Sequence, residues 1–304
     1  MPHTPIRNVY LLGNPASGRG RGAKALHQIN ALLKERGVEA VVLRTTGPTD
    51  AIRLAREAAE SGAELLLVCG GDGTIRDAIE GVVSASRVAG ATAVGLLPAG
   101  TGNDLARTLG IPTRREQALA VALDGAERNL DVWRWNGTPF VNIAGVGLDA
   151  AVAGAVNRKF RTLRGPLAYI AGALYALPRF QPFPLTLQLP DTEWTGTVWL
   201  AAFASGKCYG GGMRIAPDAD PHDGLLDVVV VEKTSRVELL RQLPGLFSGR
   251  HVTHPKVRIV RAASVEVQAP PQEVTLDGEL LGATPARIWR DPATVRVRVP
   301  RTSS

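Results

Sequence analysis

The chain has 304 residues, and this length predicts about two domains. Its composition, with 45% apolar and 21% charged residues, excludes a disordered or collagen-like chain, and its two cysteines exclude a disulfide scaffold and favour a reducing cytosol. The net charge of +7 favours nucleic acid, an anionic membrane or phosphorylated ligands as partners, and the alternative is that it serves solubility alone. An aromatic content of 5% argues against stacking on nucleic-acid bases.

Strand-like and helix-like segments alternate along the first third of the chain. Apolar runs followed by turn residues indicate strands, and apolar residues near the helical period indicate helices, with Thr49 or Asp50 able to cap the second helix. The predicted strands are Val9–Leu12, Val38–Leu43, Glu64–Cys69 and Ala93–Leu97, and the predicted helices are Lys24–Arg36, 50–61, Thr74–Ser84 and Asn103–Leu109. This alternation predicts a parallel, doubly wound sheet.

The pattern changes near residue 130, where short strands separated by turn residues dominate. The predicted strands are Val132–Trp135, Leu185–Leu189, Thr195–Phe203, Leu226–Val231, Val257–Val260, Ser264–Gln268, Gln272–Leu276 and Thr294–Val299, and the predicted helices are Leu163–Leu177 and Val237–Ser248. We therefore predict a mainly β second domain, with domains at 1–128 and 129–304 and a C-terminal strand that can return to the first domain. Its edge strands could pair two copies into a homodimer.

The sequence predicts a cytoplasmic protein that visits a membrane without crossing it. We expect no signal peptide in the segment 1–5 and no spanning helix, because no run of 18 apolar residues exists. The basic residues Arg158, Lys159, Arg161 and Arg164 precede the apolar segment 167–177. Such a patch could make a transient, peripheral contact with an anionic bilayer, and the alternative is a solvated loop before a core helix.

Three glycine-containing turns follow predicted strands of the first domain. The segment 70–74, with sequence GGDGT, opens a helix whose first N–H groups favour phosphate, and the alternative is a tight turn with a side-chain cap. The segment 13–20 resembles a nucleotide phosphate loop, but Arg19 and Gly20 replace the lysine and hydroxyl residue that such a loop requires. The Ser17 hydroxyl and the loop N–H groups could still bind phosphate, and the alternative is a solvated turn. The segment 98–104 forms the third turn. In a parallel sheet all three should meet at one edge, where such sheets bind ligands.

Two acidic segments of the second domain are candidates for metal binding and catalysis. Four aspartates at 218, 220, 223 and 227 supply the hard oxygen ligands that Mg²⁺ or Ca²⁺ prefer, and the alternative is an acidic turn. The segment 276–279, with sequence LDGE, indicates a hairpin turn without further context. The scattered histidines and cysteines do not predict zinc.

Taken in order, these motifs resemble the diacylglycerol kinase catalytic-domain family, which includes soluble bacterial lipid kinases and is related to the sphingosine kinases. The segments that carry the resemblance are 14–18, 70–74, 98–104, 142–147, 216–218, 223–224 and 276–279. The resemblance covers nearly the whole chain. It implies an NAD-kinase-like α/β domain for the nucleotide and a β-rich, sandwich-like domain for lipid and metal, with the active site in the cleft between them.

The resemblance also implies the site residues. ATP would be bound by Asn14, Pro15, Ala16, Ser17, Gly18, Thr45, Gly71, Asp72, Gly73, Thr74, Ile75, Arg76, Asp77, Thr101, Asn103 and Asp104. A structural Mg²⁺ would be held by Asp220, Asp223 and Leu225, and a second Mg²⁺ would be oriented by Asp72 and Asp104. The base would be Asp277 or Glu279, and both remain open. Many relatives have Asn-Glu where this chain has Arg76 and Asp77, which puts fine nucleotide contacts in doubt.

The expected activity is therefore transfer of the γ-phosphate of ATP to a lipid hydroxyl at the membrane surface, with diacylglycerol as the first substrate. A sphingoid base, phosphatidylglycerol or another lipid alcohol could replace diacylglycerol as the acceptor. Two further hypotheses are an NAD kinase and a non-catalytic lipid or nucleotide sensor. Nucleic-acid binding is not expected, because it would rest on net charge alone.

Overall fold

The computed structural model describes residues 8–20, 22–85, 92–160, 162–163 and 166–301, so Arg161 and Arg164 of the basic segment lie outside the described residues. The described helices are α1 Ser17–Gly20, α2 Gly22–Glu35, α3 Asp50–Glu60, α4 Asp72–Ala85, α5 Asp104–Thr108, α6 Arg115–Asp124, α7 Leu148–Lys159, α8 Pro166–Ala176 and α9 Arg236–Ser248. The described strands are β1 Val9–Gly13, β2 Ala40–Arg44, β3 Leu65–Gly70, β4 Ala93–Pro98, β5 Ala126–Trp135, β6 Thr138–Phe140, β7 Ile143–Gly147, β8 Phe183–Gln188, β9 Glu193–Ala204, β10 Leu226–Glu232, β11 Val257–Ala262, β12 Ser264–Gln268, β13 Glu273–Leu276, β14 Glu279–Ala283 and β15 Ala286–Val299.

The chain divides into two compact units, Met1–Leu130 with Ala293–Ser304, and Asp131–Pro292. The first unit is α/β and the second is mainly β, which confirms the predicted fold class. Strands β5 and β15 each contain residues of both units.

The first unit contains a parallel sheet in the strand order β2-β1-β3-β4-β15. Every residue of β3 and β4 is buried, as expected for central strands covered on both faces. Helices α3 and α4 pack against each other, and α2 packs against α6, β1 and β3. Because all strands run in the same direction, their carboxyl ends lie at one edge of the sheet.

The second unit is built from antiparallel strands. They follow the order β14-β13-β7-β9-β8-β12-β15, and β9 also pairs with β10, which pairs with β11. The first half of β9 pairs with β8, and its second half lies between β7 and β10. The core contains the fully buried Trp133, Trp135, Phe140 and Phe203.

The sequence did not predict α6, β6, β7, α7 or β14. Helix α7 is apolar around most of its circumference, because residues from Leu148 to Ala155 are nearly all buried, and it therefore lacks the one-sided pattern of a surface helix. One predicted cap is wrong: Thr49 has a φ of 65° and makes no side-chain cap to α3. The Asp50 carboxylate instead accepts hydrogen bonds from Thr46, and these bonds lower the pKa of Asp50 to about 2.

No helix in the described parts of the chain combines the length and the apolar character needed to span a bilayer.

Candidate functional site

The three glycine-containing turns of the first unit meet at the carboxyl edge of its sheet, as predicted. The backbone N–H of Asn14 donates to Cys69 O at 3.2 Å, and the Asn14 side chain donates to Thr74 Oγ1 at 3.4 Å. The N–H of Ala99 donates to Gly70 O at 2.8 Å. These bonds join the turns after β1, β3 and β4 into one surface of backbone groups.

Glycine is required where two of these turns touch. A Cβ built on Gly100 would lie 2.6 Å from Gly71 Cα, which is closer than real Cβ contacts allow. The Asn103 side chain fixes the same turn by accepting from Gly100 N at 2.9 Å, and Asn103 itself has a left-handed φ of 54°. The turn after β4 is therefore held from both sides.

Helix α4 begins directly at this edge, at Asp72. The first N–H groups of any helix have no partner within it, and the helix dipole favours an anion at this end. Arg76, one turn into the helix, is buried and donates to Asp77 Oδ1 at 2.8 Å. The buried Arg76 guanidinium is thus paired with the carboxylate of the next residue.

Two carboxylates, Asp72 and Asp104, lie together at the same edge. A Cβ on Gly102 would be 3.0 Å from Asp72 Oδ2 and 3.1 Å from Asp104 Oδ2, so both oxygens face the same glycine. Burial raises the pKa of Asp72, although the N–H of Leu105, 3.2 Å from Asp72 Oδ1, opposes this rise. Two carboxylates this close repel each other when both are ionised, and a bound cation would relieve that repulsion.

Three further residues of the predicted nucleotide site differ in how they are placed relative to the turns and to solvent. Thr45 follows β2 and donates its N–H to Gly13 O at 3.0 Å, which places it beside the first turn. The Ser17 hydroxyl is buried, forms no hydrogen bond among the described residues, and lies against Gly22. Thr101 is exposed at the third turn.

In the second unit, Asp277 and Gly278 form the two-residue turn between β13 and β14. Both have positive φ values, 50° and 85°, which is typical of a tight hairpin turn. The Asp277 carboxylate accepts three backbone hydrogen bonds, from Val141 at 3.0 Å, Asn142 at 2.9 Å and Ile143 at 3.1 Å. These amides fix the direction of the carboxylate. Glu279 is the exposed first residue of β14.

Asp149, at the start of α7, is a buried carboxyl that the sequence analysis missed. Its Oδ1 accepts from Ala150 N at 2.8 Å, whereas its Oδ2 is buried and forms no hydrogen bond with any described residue. Burial raises the pKa of Asp149 to about 8. A single acid among apolar residues leaves no pattern in a sequence, and the available signal was its position two residues after the end of β7, a strand of small residues.

The acidic segment 218–227 brings several carboxylates together with one arginine. Asp223 accepts from Leu225 N at 3.0 Å and pairs with Arg261, and Asp227 Oδ2 lies 3.9 Å from Arg261 Nε without forming a hydrogen bond. Burial, Asp223 and Asp218 raise the pKa of Asp227, and Arg261 opposes them. Asp220 accepts from His222 N.

Within the described ranges, no three or more His, Cys, Asp or Glu side chains are placed to hold a metal ion together. A cation at the acidic segment would therefore need backbone oxygens as well. The buried, unbonded oxygen of Asp227 beside the Asp223 carboxylate is a donor set that a hard cation fits.

The chain matches two family models. The model described as diacylglycerol kinase catalytic domain matches residues 8–135, and the model described as YegS C-terminal NAD kinase beta sandwich-like domain matches residues 142–299. Proteins named diacylglycerol kinase are similar along almost their whole length. The one from Mycobacterium tuberculosis (strain CDC 1551 / Oshkosh) is 37% identical, with 97% of this chain and 96% of the relative covered. The one from Bacillus subtilis (strain 168) is 30% identical, with 97% of both covered.

Solved structures from Bacillus anthracis str. Sterne have the same fold. One matches with a TM-score of 0.82 at 24% identity, covering 98% of this chain and 97% of the other. Another, described as a diacylglycerol kinase, matches with a TM-score of 0.74 at 23% identity and covers 98% of both chains.

Proposed function

Since the chain belongs to the diacylglycerol kinase family, we propose that it transfers the γ-phosphate of ATP to the hydroxyl of a membrane lipid, with diacylglycerol as the first candidate. The observation that carries this proposal is the junction of three glycine-containing turns at one edge of the parallel sheet. The bonds from Asn14 to Cys69 and from Ala99 to Gly70 create that junction. Backbone N–H groups and a helix start suit the polyphosphate of a nucleotide.

The proposed reaction forms a bond between the lipid oxygen and the γ-phosphorus and breaks the bond from that phosphorus to ADP. The proton of the hydroxyl must pass to a base. We propose Asp277 for this role, because three amides hold its carboxylate in one direction and a positioned acceptor is what general-base catalysis requires. Glu279 is the alternative base.

Magnesium fits the carboxylates of both units. In the first unit, Asp72 and Asp104 would orient the ion that accompanies ATP, and in the second unit Asp223, with Asp220 and Leu225, would hold a structural ion. When bound, Mg²⁺ neutralises charge on the phosphates during transfer. The protein's own part is to direct these carboxylates at the ligand.

The lipid acceptor lies in a membrane, so the protein needs a surface that contacts the bilayer, and α7 and α8 provide a candidate. Arg158 and Lys159 end α7, and the Lys159 ammonium lies 4.9 Å from the centre of the Tyr175 ring on α8. Leu167 and Leu174 of α8 are 67% and 54% exposed. Cations beside exposed leucines suit an anionic lipid surface. We therefore propose a transient, peripheral contact through these helices.

The test is transfer of labelled γ-phosphate from ATP into chloroform-extractable product, with Mg²⁺ and diacylglycerol in mixed micelles. We expect labelled phosphatidic acid from the native chain. Asp277→Asn should form it more slowly by a factor of about 100 or more. If label appeared only in a sphingoid base, phosphatidylglycerol or another lipid alcohol, the proposed substrate would be wrong and the lipid kinase activity would stand. Label only in NADP would replace the lipid kinase with an NAD kinase, and binding of ATP or lipid without any product would favour a sensor.

A further inference from the structure

A polar notch interrupts one edge of strand β9 in the second unit. Strand β9 pairs with β10 only from Val198 onward, so residues 193–196 have a strand partner on one side alone, β8, among the described residues. The N–H of Lys233 donates to Thr197 O at 2.8 Å, where the chain leaves β10. The notch measures about 530 Å³ including its opening to solvent, and its walls come from β9, the end of β10 and the start of β11.

Three cations and one carboxylate line the notch. They are the side chains of Lys233, Lys256, Arg258 and Glu232. Those of Lys256 and Arg258 are 49% and 57% exposed, whereas that of Glu232 is 18% exposed. The notch therefore presents more positive than negative charge to solvent, and such a surface attracts anions.

Glu232 holds two of these cations in place. Its Oε2 lies 3.4 Å from Lys256 Nζ, and its Oε1 accepts a hydrogen bond from Arg258 Nε. Arg258 and, to a smaller extent, Lys256 lower the pKa of Glu232, so this carboxylate is ionised at neutral pH. The register of β10 against β9 shifts at Glu232, and such irregularities redirect side chains. Two donors thus converge on one point, where an anion would find them already positioned.

An indole ring borders the notch. A Cβ built on Gly196 would lie 2.7 Å from two ring atoms of Trp194, Cζ2 and Cη2, so the indole lies over this glycine. Trp194 is half-buried, and it packs against the core of the second unit. Tryptophan is enriched at the headgroup level of membranes, where lysine and arginine side chains also keep their charges. The residue types of the notch therefore suit a membrane interface.

Exposed apolar residues of α9 adjoin the notch. Helix α9 begins shortly after Lys233, and its residues Val237 and Leu240 are exposed. Lys256 connects the two features, because it lines the notch and also, together with Leu240, the apolar space beneath α9. Cations that border exposed apolar side chains favour a phosphate carried by a membrane lipid over a phosphate free in solution.

We propose that this notch, the β9–β11 notch, binds the phosphate group of an anionic phospholipid that is not the substrate. Lys256 and Arg258 would donate charge-assisted hydrogen bonds to the phosphate oxygens in competition with Glu232, and Lys233 would add positive charge. These residues are distinct from the α7 and α8 residues of the membrane contact proposed above. Binding needs neither ATP nor a lipid acceptor, so its test does not depend on the proposed kinase activity.

The first experiment measures sedimentation with phosphatidylcholine vesicles that contain a minor fraction of phosphatidylglycerol. Replacing both Lys256 and Arg258 with Gln should weaken binding roughly 30-fold, since each basic group contributes about 1 kcal/mol. The control replaces Lys34 and Arg56, which removes the same charge from exposed positions of the first unit and should leave binding close to that of the native chain. An equal loss in both double variants would overturn the proposal, because net charge alone would then account for binding.

A variant of the acid separates a headgroup site from a purely structural ion pair. Glu232→Gln frees Lys256 and Arg258 and removes the competing charge, so binding to the same vesicles should become roughly fivefold stronger. Glu266→Gln makes the same charge change at an exposed position of the second unit and should bind as the native chain does. If Glu232→Gln bound no more tightly than Glu266→Gln, the ion pairs of the notch would be structural and the proposal would be wrong.

The second experiment identifies the ligand by nuclear magnetic resonance. The chain has five tryptophans, and the indole N–H signal of Trp194 is assigned by its loss in Trp194→Phe. Dihexanoylphosphatidylglycerol below its aggregation concentration should shift this signal in the native chain and not in the variant that lacks Lys256 and Arg258. An equal shift with inorganic phosphate would assign the notch to a free anion and overturn the lipid. The absence of any shift with either probe would overturn the site itself.

Discussion

The carboxyl group of Asp149 lies directly over Gly145. A Cβ built on Gly145 would be 1.7 Å from Asp149 Oδ2, so only glycine fits beneath this acid. Gly145 on β7 pairs with Thr275 on β13, two residues before Asp277. The buried acid therefore belongs to the layer that supports the Asp277 turn.

The buried position of Asp149 predicts that stability depends on pH. Its pKa of about 8 lies above the value of about 3.9 in an unfolded chain, so the folded state holds the proton more tightly. The contribution of Asp149 to the free energy of unfolding should therefore be largest at about pH 4 and below, and it should fall by at most about 1.4 kcal/mol per pH unit up to pH 8. Asp149→Asn should lack this decrease, so its Tm relative to the native chain should rise from pH 5 to pH 8 in calorimetry. Asp191→Asn changes an exposed residue of the same unit and is the control. Its Tm should differ from that of the native chain by the same amount at every pH. The prediction would be contradicted if the Tm difference of Asp149→Asn were also independent of pH.

The hydrogen bonds at Asp277 predict two separable effects of substitution. Asp277→Asn should reduce kcat roughly 10²–10⁴-fold with ATP affinity unchanged, because the proposed base is lost and the turns of the proposed nucleotide site are not changed. It should also lower Tm, because an amide nitrogen cannot accept the N–H that one carboxylate oxygen accepts. Glu279→Gln is the matched comparison and should leave Tm unchanged. If Glu279→Gln has the larger loss of kcat, Glu279 is the base and Asp277 holds the turn.

The close approach of Gly100 to Gly71 predicts that a single methyl group disturbs the proposed nucleotide site. Gly100→Ala should cost about 1–3 kcal/mol in stability, because the added carbon overlaps the neighbouring turn. We also expect ATP to bind at least tenfold more weakly in titration calorimetry. Gly47→Ala is the control, because its Cβ would meet no atom within 4 Å. Native ATP affinity in Gly100→Ala would show that this junction does not bind the nucleotide.

The pairing of Arg261 with Asp223 predicts competition between an arginine and a metal ion. Mg²⁺ at ten times its Kd should stabilise the native chain by about 1.4 kcal/mol, measured as a rise in Tm. Asp223→Asn should abolish this rise. Arg261→Gln should strengthen Mg²⁺ binding, because the cation that now faces Asp223 and Asp227 is removed. If Mg²⁺ raised the Tm of both variants as much as that of the native chain, the ion would bind at another site.

The surface of α7 and α8 predicts salt-dependent membrane binding. Replacing both Arg158 and Lys159 with Gln should weaken sedimentation with anionic vesicles at low salt roughly 30-fold, since each basic group contributes about 1 kcal/mol. A matched control replaces Lys34 and Arg56, two exposed basic residues of the first unit. Equal loss in both proteins would mean that net charge alone acts, and no loss in either would mean that the end of α7 is a solvated surface without membrane contact.

The sequence predicted those parts of the site that follow from general rules of chain geometry. Parallel strands end at one edge, so the meeting of the turns containing Asn14, Gly71 and Thr101 could be expected before any coordinates were known. The LDGE segment could be interpreted as a hairpin because an Asp-Gly pair favours positive φ, and the structure confirms this turn.

The parts that sequence reasoning missed depend on burial. Helix α7 and strand β7 contain small residues with no alternation, because both are enclosed on nearly all sides. The three amides at Asp277 come from a segment more than one hundred residues away in the chain, and no local pattern records that contact. Asp149 was missed for the same reason, since its pKa depends on what encloses it.

The position of β15 affects how the first unit folds during synthesis. Strand β4 pairs in parallel with the last part of β15, Val94 with Val297, so one side of β4 remains uncovered until nearly the whole second unit has been made. At about 5–20 residues per second, this interval lasts on the order of 10 to 40 s on the ribosome. An exposed strand edge can pair with another nascent chain during that time. A nascent chain arrested before residue 293 should therefore be recognised by chaperones, and the first unit should become protease-resistant only after the last strand has emerged.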